Sequence, residues 1–122
     1  MWTYEQSTGI LRDTNGNEVG VGYSGRGRGL DNPADEQIPD VGPLPVGMYI
    51  IGSFFDDPGG KGPIVAHLIP DVADQMFGRS GFMIHGDNRE ANHSASEGCI
   101  ILARPLRESI AASDDRRLEV VA

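Results

Sequence analysis

The chain contains one cysteine. It stands in Ser96-Glu97-Gly98-Cys99-Ile100-Ile101-Leu102, thirteen intervening residues after the histidine of Phe82-Met83-Ile84-His85-Gly86-Asp87-Asn88. In each segment a reactive side chain sits at the end of a short apolar run of the kind that forms a buried strand. A thiol becomes a strong nucleophile when a neighbouring imidazole takes its proton, and two adjacent strand ends can bring such groups together. Gly98 lets the backbone bend sharply before the cysteine. Amide N–H groups around Cys99, in the Ser96–Gly98 turn, would then be candidates to stabilise an oxyanion. Two other readings stay open on residue type alone. Cys99 can be a small buried hydrophobe and His85 a hydrogen-bonded core histidine. His85, His93 and Cys99 can also be zinc ligands, with Asp87 nearby, although no C-x-x-C or H-x-x-x-H pair fixes two of them on one rigid element.

These segments need a scaffold. At 122 residues the chain is read as a single domain, 1–122, and its 17 Gly and 8 Pro favour short strands and many turns. The expected fold class is mostly β, with one or two short helices. Trp2–Tyr4, Ile10–Arg12 and Glu18–Val21 read as an N-terminal meander, with the Thr14–Asn17 cluster as a turn. Residues 22–45, rich in Gly, Arg, Asp, Asn and Pro, show no regular period and read as a long functional loop. Met48–Phe54 and Ile64–Ile69 read as a hairpin across the Asp56–Gly62 turn. Asp71–Phe77 is predicted to be a short helix capped by Asp71, Pro105–Ser113 a second, and Leu118–Val121 the last strand.

Composition excludes several functions. A formal charge of −8 without a Lys/Arg stripe argues against nucleic acid as a partner. No apolar run approaches the roughly 18 residues of a membrane span, and residues 1–9 lack the layout of a signal peptide, so synthesis as a cytoplasmic protein without membrane association is expected. One cysteine allows no internal disulfide. Gly20-Val21-Gly22-Tyr23-Ser24-Gly25 spells the dinucleotide-binding pattern, but no apolar-periodic helix follows it. Gly59-Gly60-Lys61 lacks the spacing of a phosphate-binding loop and reads as a hairpin turn.

Around Cys99 the sequence resembles the L,D-transpeptidase family of YkuD type, whose signature is a histidine, a spacer, then Ser/Thr-His-Gly-Cys and an apolar residue. Ser96-x-Gly98-Cys99-Ile100 fits that ending. Val41-Gly42-Pro43-Leu44-Pro45-Val46-Gly47-Met48-Tyr49 is similar to the family's Gly-Pro-x-Pro-x-Gly-x-Tyr segment, and Phe77–Phe82 precedes the histidine as it does there. Trp2-Thr3-Tyr4 and Gly22-Tyr23-Ser24-Gly25 resemble features of small L,D-transpeptidase effectors of type VI secretion systems. This likeness implies a compact β-sandwich or barrel. It implies a cofactor-free enzyme with Cys99 as nucleophile, His85 as base and the Gly86 carbonyl orienting the imidazole. It also implies peptidoglycan stem peptides as substrate, removal or exchange of terminal D-Ala, delivery into a competitor's periplasm, and an immunity protein and a secretion adaptor as partners. Substrate carboxylates would need local cations; Arg79 is the first candidate, followed by Arg26, Arg28 and Arg104, with Tyr23 and Ser24 over the cleft. Two positions depart from the pattern. Glu97 replaces the histidine before Gly-Cys, and Ile101 replaces a polar or basic residue. A carboxylate beside the nucleophile raises its pKa unless a cation offsets it. A catalytically inactive wall-binding module of the same fold is the alternative this departure implies.

Overall fold

Turn chemistry sets the N-terminal meander. The Asp13 carboxylate accepts the N–H groups of Asn15 (2.9 Å) and Asn17 (3.0 Å), holding a reversal between strands β2 (Ile10–Arg12) and β3 (Glu18–Val21). Strand β1 (Trp2–Glu5) pairs with β2 on one side. The computed structural model describes residues 1–122. The remaining strands are β4 (Tyr23–Ser24), β5 (Gly47–Ile51), β6 (Phe55–Asp57), β7 (Gly62–Pro70), β8 (Met83–His85), β9 (Ile100–Ile101) and β10 (Arg117–Val121). The single α-helix, α1 (Arg104–Ala112), begins with Pro105 in its first turn, where a missing N–H costs nothing.

Strand order is β3-β2-β1-β10-β5-β7-β8-β9-β4, with β6 hairpinned onto β7. The two strands that end this row, β3 and β4, are separated in the chain only by Gly22. The sheet is therefore joined end to end through one residue, and it forms a nearly closed, barrel-like structure. Closure brings three backbones together at this seam. The Gly22 N–H donates to the Gly9 carbonyl at 2.8 Å. A Cβ on Gly22 would stand 2.1 Å from the Ile101 carbonyl oxygen, and one on Gly9 would stand 2.0 Å from that of Gly22. Glycine is required here because no side chain fits between the strands.

Side-chain alternation directs one face of this sheet inward. Trp2 and Tyr4, Leu118 and Val120, Tyr49 and Ile51, Ala66 and Leu68, Ile84, and Ile100 form the centre of a 15-residue core that Ile110 of α1 completes. Each fully buried Leu, Ile or Val contributes about 1.5–3 kcal/mol relative to exposure.

The expected helix over Asp71–Phe77 does not form. The Asp71 carboxylate does accept the Ala73 N–H (2.9 Å), as a cap would, but Asp74 accepts from both Asp71 N–H (3.2 Å) and Met48 N–H (2.9 Å). The segment is thus bound to β5 as irregular turns. The strand expected over Met48–Phe54 stops at Ile51 and resumes as β6. Residues 22–45 are not a loose cover: they contribute β4 to the sheet and two single-turn 3-10 helices, Gly27–Gly29 and Pro33–Asp35.

Candidate functional site

Strand β8 lies between β7, antiparallel, and β9, parallel, and all three of its residues are buried. Ile84 pairs with Ile100 and His85 with Ile101. Ile84 and Ile100 belong to the core, so Met83, His85 and Ile101 face the other way. Extending the register by one residue sets Cys99 beside Met83, on the same face as His85 and diagonal to it across the β8–β9 pair. Tyr23 pairs with Ile101 from β4. One row therefore runs His85, Ile101, Tyr23 across three strands, with Cys99 alongside.

The imidazole is held from one side. His85 Nδ1 lies 2.8 Å from the Gly86 carbonyl oxygen. A carbonyl only accepts, so Nδ1 carries the hydrogen and Nε2 of the neutral ring carries the lone pair. Nε2 is buried and has no hydrogen-bond partner. Burial, foremost, pushes the His85 pKa below its ordinary 6.5, and Lys61 and Arg107 add to this against the Gly86 hydrogen bond and Asp87. The ring is a free base near neutrality. The half-buried Cys99 thiol is pushed above its ordinary value, again chiefly by burial; Glu97 adds to the rise, while the Met83 N–H, Lys61 and Arg79 oppose it. Glu97 itself is exposed and paired with Arg26 at 3.6 Å, which supplies a cation beside the carboxylate. The resting pair is thus neutral thiol and neutral imidazole.

The other residues singled out by sequence divide into two groups. Tyr23 and Arg104 line an open cavity of about 410 Å³ on the site face, together with His93 and Asp87. The Tyr23 hydroxyl donates to Asp87 (2.7 Å) and accepts the Ala95 N–H (3.1 Å), tying β4 to both ends of the loop between His85 and Cys99. Arg26 and Arg28 do not line it: the Arg26 Nε–H donates to the Asp40 carbonyl, and Arg28 pairs with Asp35. The remainder are supports. Arg79 is buried and directs its guanidinium at the carbonyls of Glu36, Pro43 (2.8 Å), Gly42 (2.9 Å) and Glu97 (3.1 Å), so it clamps the 36–43 segment to the turn before Cys99 and presents no free fork to a carboxylate. Ser24 points into the core, where its hydroxyl accepts the Leu44 N–H (2.8 Å) and donates to the Gly98 carbonyl (3.3 Å). It does not face the cleft. Ser96 Oγ donates to the Cys99 carbonyl (2.6 Å) and accepts the N–H groups of Gly25 (2.9 Å) and Gly98 (3.1 Å). The Gly98 N–H is therefore committed and is not an oxyanion donor in this conformation. Gly98 has φ +132°, and a Cβ there would lie 2.5 Å from Arg79 Nη2.

Sequence reasoning missed Arg107. It is buried in α1, donating from Nε to Leu102 O (3.0 Å) and from Nη1 to Pro63 O (2.7 Å) and Ile64 O (3.0 Å). It also explains Gly86, since a Cβ there would stand 2.7 Å from Arg107 Nη2. Its i,i+3 spacing to buried Ile110 was the available signal. The zinc reading fails on geometry: no group of three or more His, Cys, Asp or Glu side chains is placed to hold a metal ion. His93 instead packs edge-on against Tyr23, ring centroids 4.8 Å apart.

Fold and site together define a small, mostly β domain in which a nearly closed sheet carries a histidine and a cysteine on one face of two parallel strands. The Tlde1 domain matches residues 18–122, and the chain belongs to this family, a type VI secretion effector family. No curated protein matches the chain in sequence.

Proposed function

We propose that this protein is a cysteine-dependent L,D-carboxypeptidase and L,D-transpeptidase acting on peptidoglycan tetrapeptide stems, working as an antibacterial effector in the periplasm of a target cell. The observation that carries this reading is His85: Nδ1 is held by Gly86, and Nε2 is buried and unpartnered on the strand beside Cys99. The YkuD-type resemblance around Cys99 and membership of an effector family support the substrate and the setting.

In the reaction, His85 Nε2 takes the thiol proton as Cys99 Sγ attacks the carbonyl at the L-centre of the stem's diamino acid. The tetrahedral intermediate collapses by breaking the C–N bond to D-Ala, whose amine takes the proton back from Nε2–H. The acyl group remains on sulfur as a thioester. Water, deprotonated by the same nitrogen, releases a tripeptide; a free D-amino acid forms an exchanged tetrapeptide. Both outcomes lower the supply of donor stems for normal cross-linking.

A raised thiol and a committed Gly98 N–H favour a second reading, a wall-binding module without catalysis. Incubation of purified disaccharide-tetrapeptide with wild type and Cys99→Ala, with and without D-methionine, separates the two. Wild type is expected to release D-Ala and to form tripeptide or D-Met product, and Cys99→Ala neither. An unchanged tetrapeptide with wild type, alongside measurable binding of the muropeptide, would favour the second reading.

A further inference from the structure

His85 opens onto a cavity of about 290 Å³ whose lining includes Lys61, Gly86, Asp87 and Asn88. Lys61 is the chain's single lysine and stands at the tip of the β6–β7 hairpin, in the Gly59-Gly60-Lys61-Gly62 turn that composition reads only as a reversal. The turn is firmly built. Asp57 accepts the Lys61 N–H at 2.9 Å, Gly60 N–H donates to Asp57 O at 3.1 Å, and Gly62 has φ +92°. Yet the Lys61 ammonium, unlike most of the arginines, forms no ion pair and no hydrogen bond. Asp87, on the same cavity, accepts from Tyr23 and from the Asn88 N–H at one oxygen, Oδ1. One cation, one carboxylate and the residue His85 thus border a space of amino-acid size.

This arrangement is complementary to a free α-amino acid. In that reading the amine that leaves or enters the thioester exchanges its proton with His85, and the carboxylate of that amino acid is only two bonds from its nitrogen, so a cavity bordered by His85 and by Lys61, whose charge acts on both His85 and Cys99, is within its reach. We propose that this cavity is the subsite for the released D-alanine and for an incoming D-amino acid acceptor, with Lys61 holding the carboxylate and Asp87 facing the ammonium. The proposal rests on the peptidyl-transfer reading above. Lys61 is a specificity-determining residue in this scheme: it selects amino acids over amines that lack a carboxylate.

The test compares D-methionine with D-methioninamide as acceptors for wild type, Lys61→Gln and Lys61→Arg. A charge-assisted pair lost from one acceptor predicts a preference of wild type for the acid of about tenfold or more in kcat/KM, carried by KM. Lys61→Gln should bring that ratio close to one, and Lys61→Arg should restore it. An acid-to-amide ratio that Lys61→Gln leaves unchanged would overturn the assignment. If wild type turns over no tetrapeptide, the parent reading falls, and the subsite is then judged by titrating D-methionine into ¹⁵N-labelled protein. Shifts at Gly60–Gly62 and Asp87–Asn88 that Lys61→Gln abolishes uphold it; absence of those shifts in wild type sinks it.

Discussion

Replacing Arg79 with methionine should cost this protein much of its stability, and the size of the loss follows from its four carbonyl partners. Arg79 is 8% exposed, and its guanidinium uses four of its five donors on the Glu36, Gly42, Pro43 and Glu97 carbonyls. Hydrogen bonds to a charged group contribute about 1.5–3 kcal/mol each, so the gross sum is about 6–12 kcal/mol. Burying the cation costs several kcal/mol in return, and methionine fills part of the volume, which leaves a net loss of about 3–5 kcal/mol. Against a domain stability of about 5–15 kcal/mol this is severe. In urea, at a slope of about 1–3 kcal/mol/M, the midpoint should fall by about 2 M. Arg79→Lys should recover only part of it, because a single ammonium cannot span carbonyls from two segments in the planar geometry of the fork. A midpoint for Arg79→Met within about 0.3 M of wild type, at unchanged slope, would refute the clamp.

Four further outcomes follow from the same geometry. Burial lowers the His85 pKa, so the native state resists protonation; stability present above pH 6.5 should fall as pH drops through the lowered value, and turnover should fall with it. An NMR titration of the His85 ring with a midpoint above 6.5 would contradict this, while the rate of Cys99 alkylation by iodoacetamide should still be climbing with pH at the thiol's ordinary 9.0, and a rate that levels off below 9.0 would contradict the raised thiol. Gly22→Ala forces a Cβ to 2.1 Å from the Ile101 carbonyl oxygen at the sheet seam and should cost about 1–3 kcal/mol, lowering Tm by about 4–12 °C; a Tm equal to wild type would show that the seam yields without cost. Tyr23→Phe removes the hydroxyl between Asp87 and Ala95, whose phenol pKa is pushed up to about 12 mainly by burial. It should cost about 1–2 kcal/mol and speed hydrogen exchange at Ala95, and unchanged exchange there would place the loop's order elsewhere.

His85 and Ser96 are buried, and Lys61, which lines the cavity beside His85, is supplied by a hairpin distant in sequence from both the His85 and the Cys99 segments.

The amino-acid sequence by itself determined the β character of the chain, the meander, the strand that ends at His85, the helix behind Pro105, and the choice of His85 and Cys99 as the residues worth pairing. Those features are local: alternation, turn residues and a proline at a helix start act within a few positions of themselves. The missed helix over Asp71–Phe77 shows the boundary of that rule, since its cap formed but a distant N–H, that of Met48, captured Asp74. Tertiary structure alone decided what the cations do. Arg79 reads from sequence as the first partner for a substrate carboxylate and Arg107 carries no reading at all, yet each satisfies carbonyls from segments far apart in the chain, because a buried carbonyl left without a donor is costly and arginine can serve several at once. Likewise, only closure of the sheet explains why Gly22 must be glycine, and only the parallel register of β8 and β9 puts His85 and Cys99 on one face. Contacts between residues far apart in sequence depend on which strands become neighbours, a choice made by burial of the whole core rather than by any one segment.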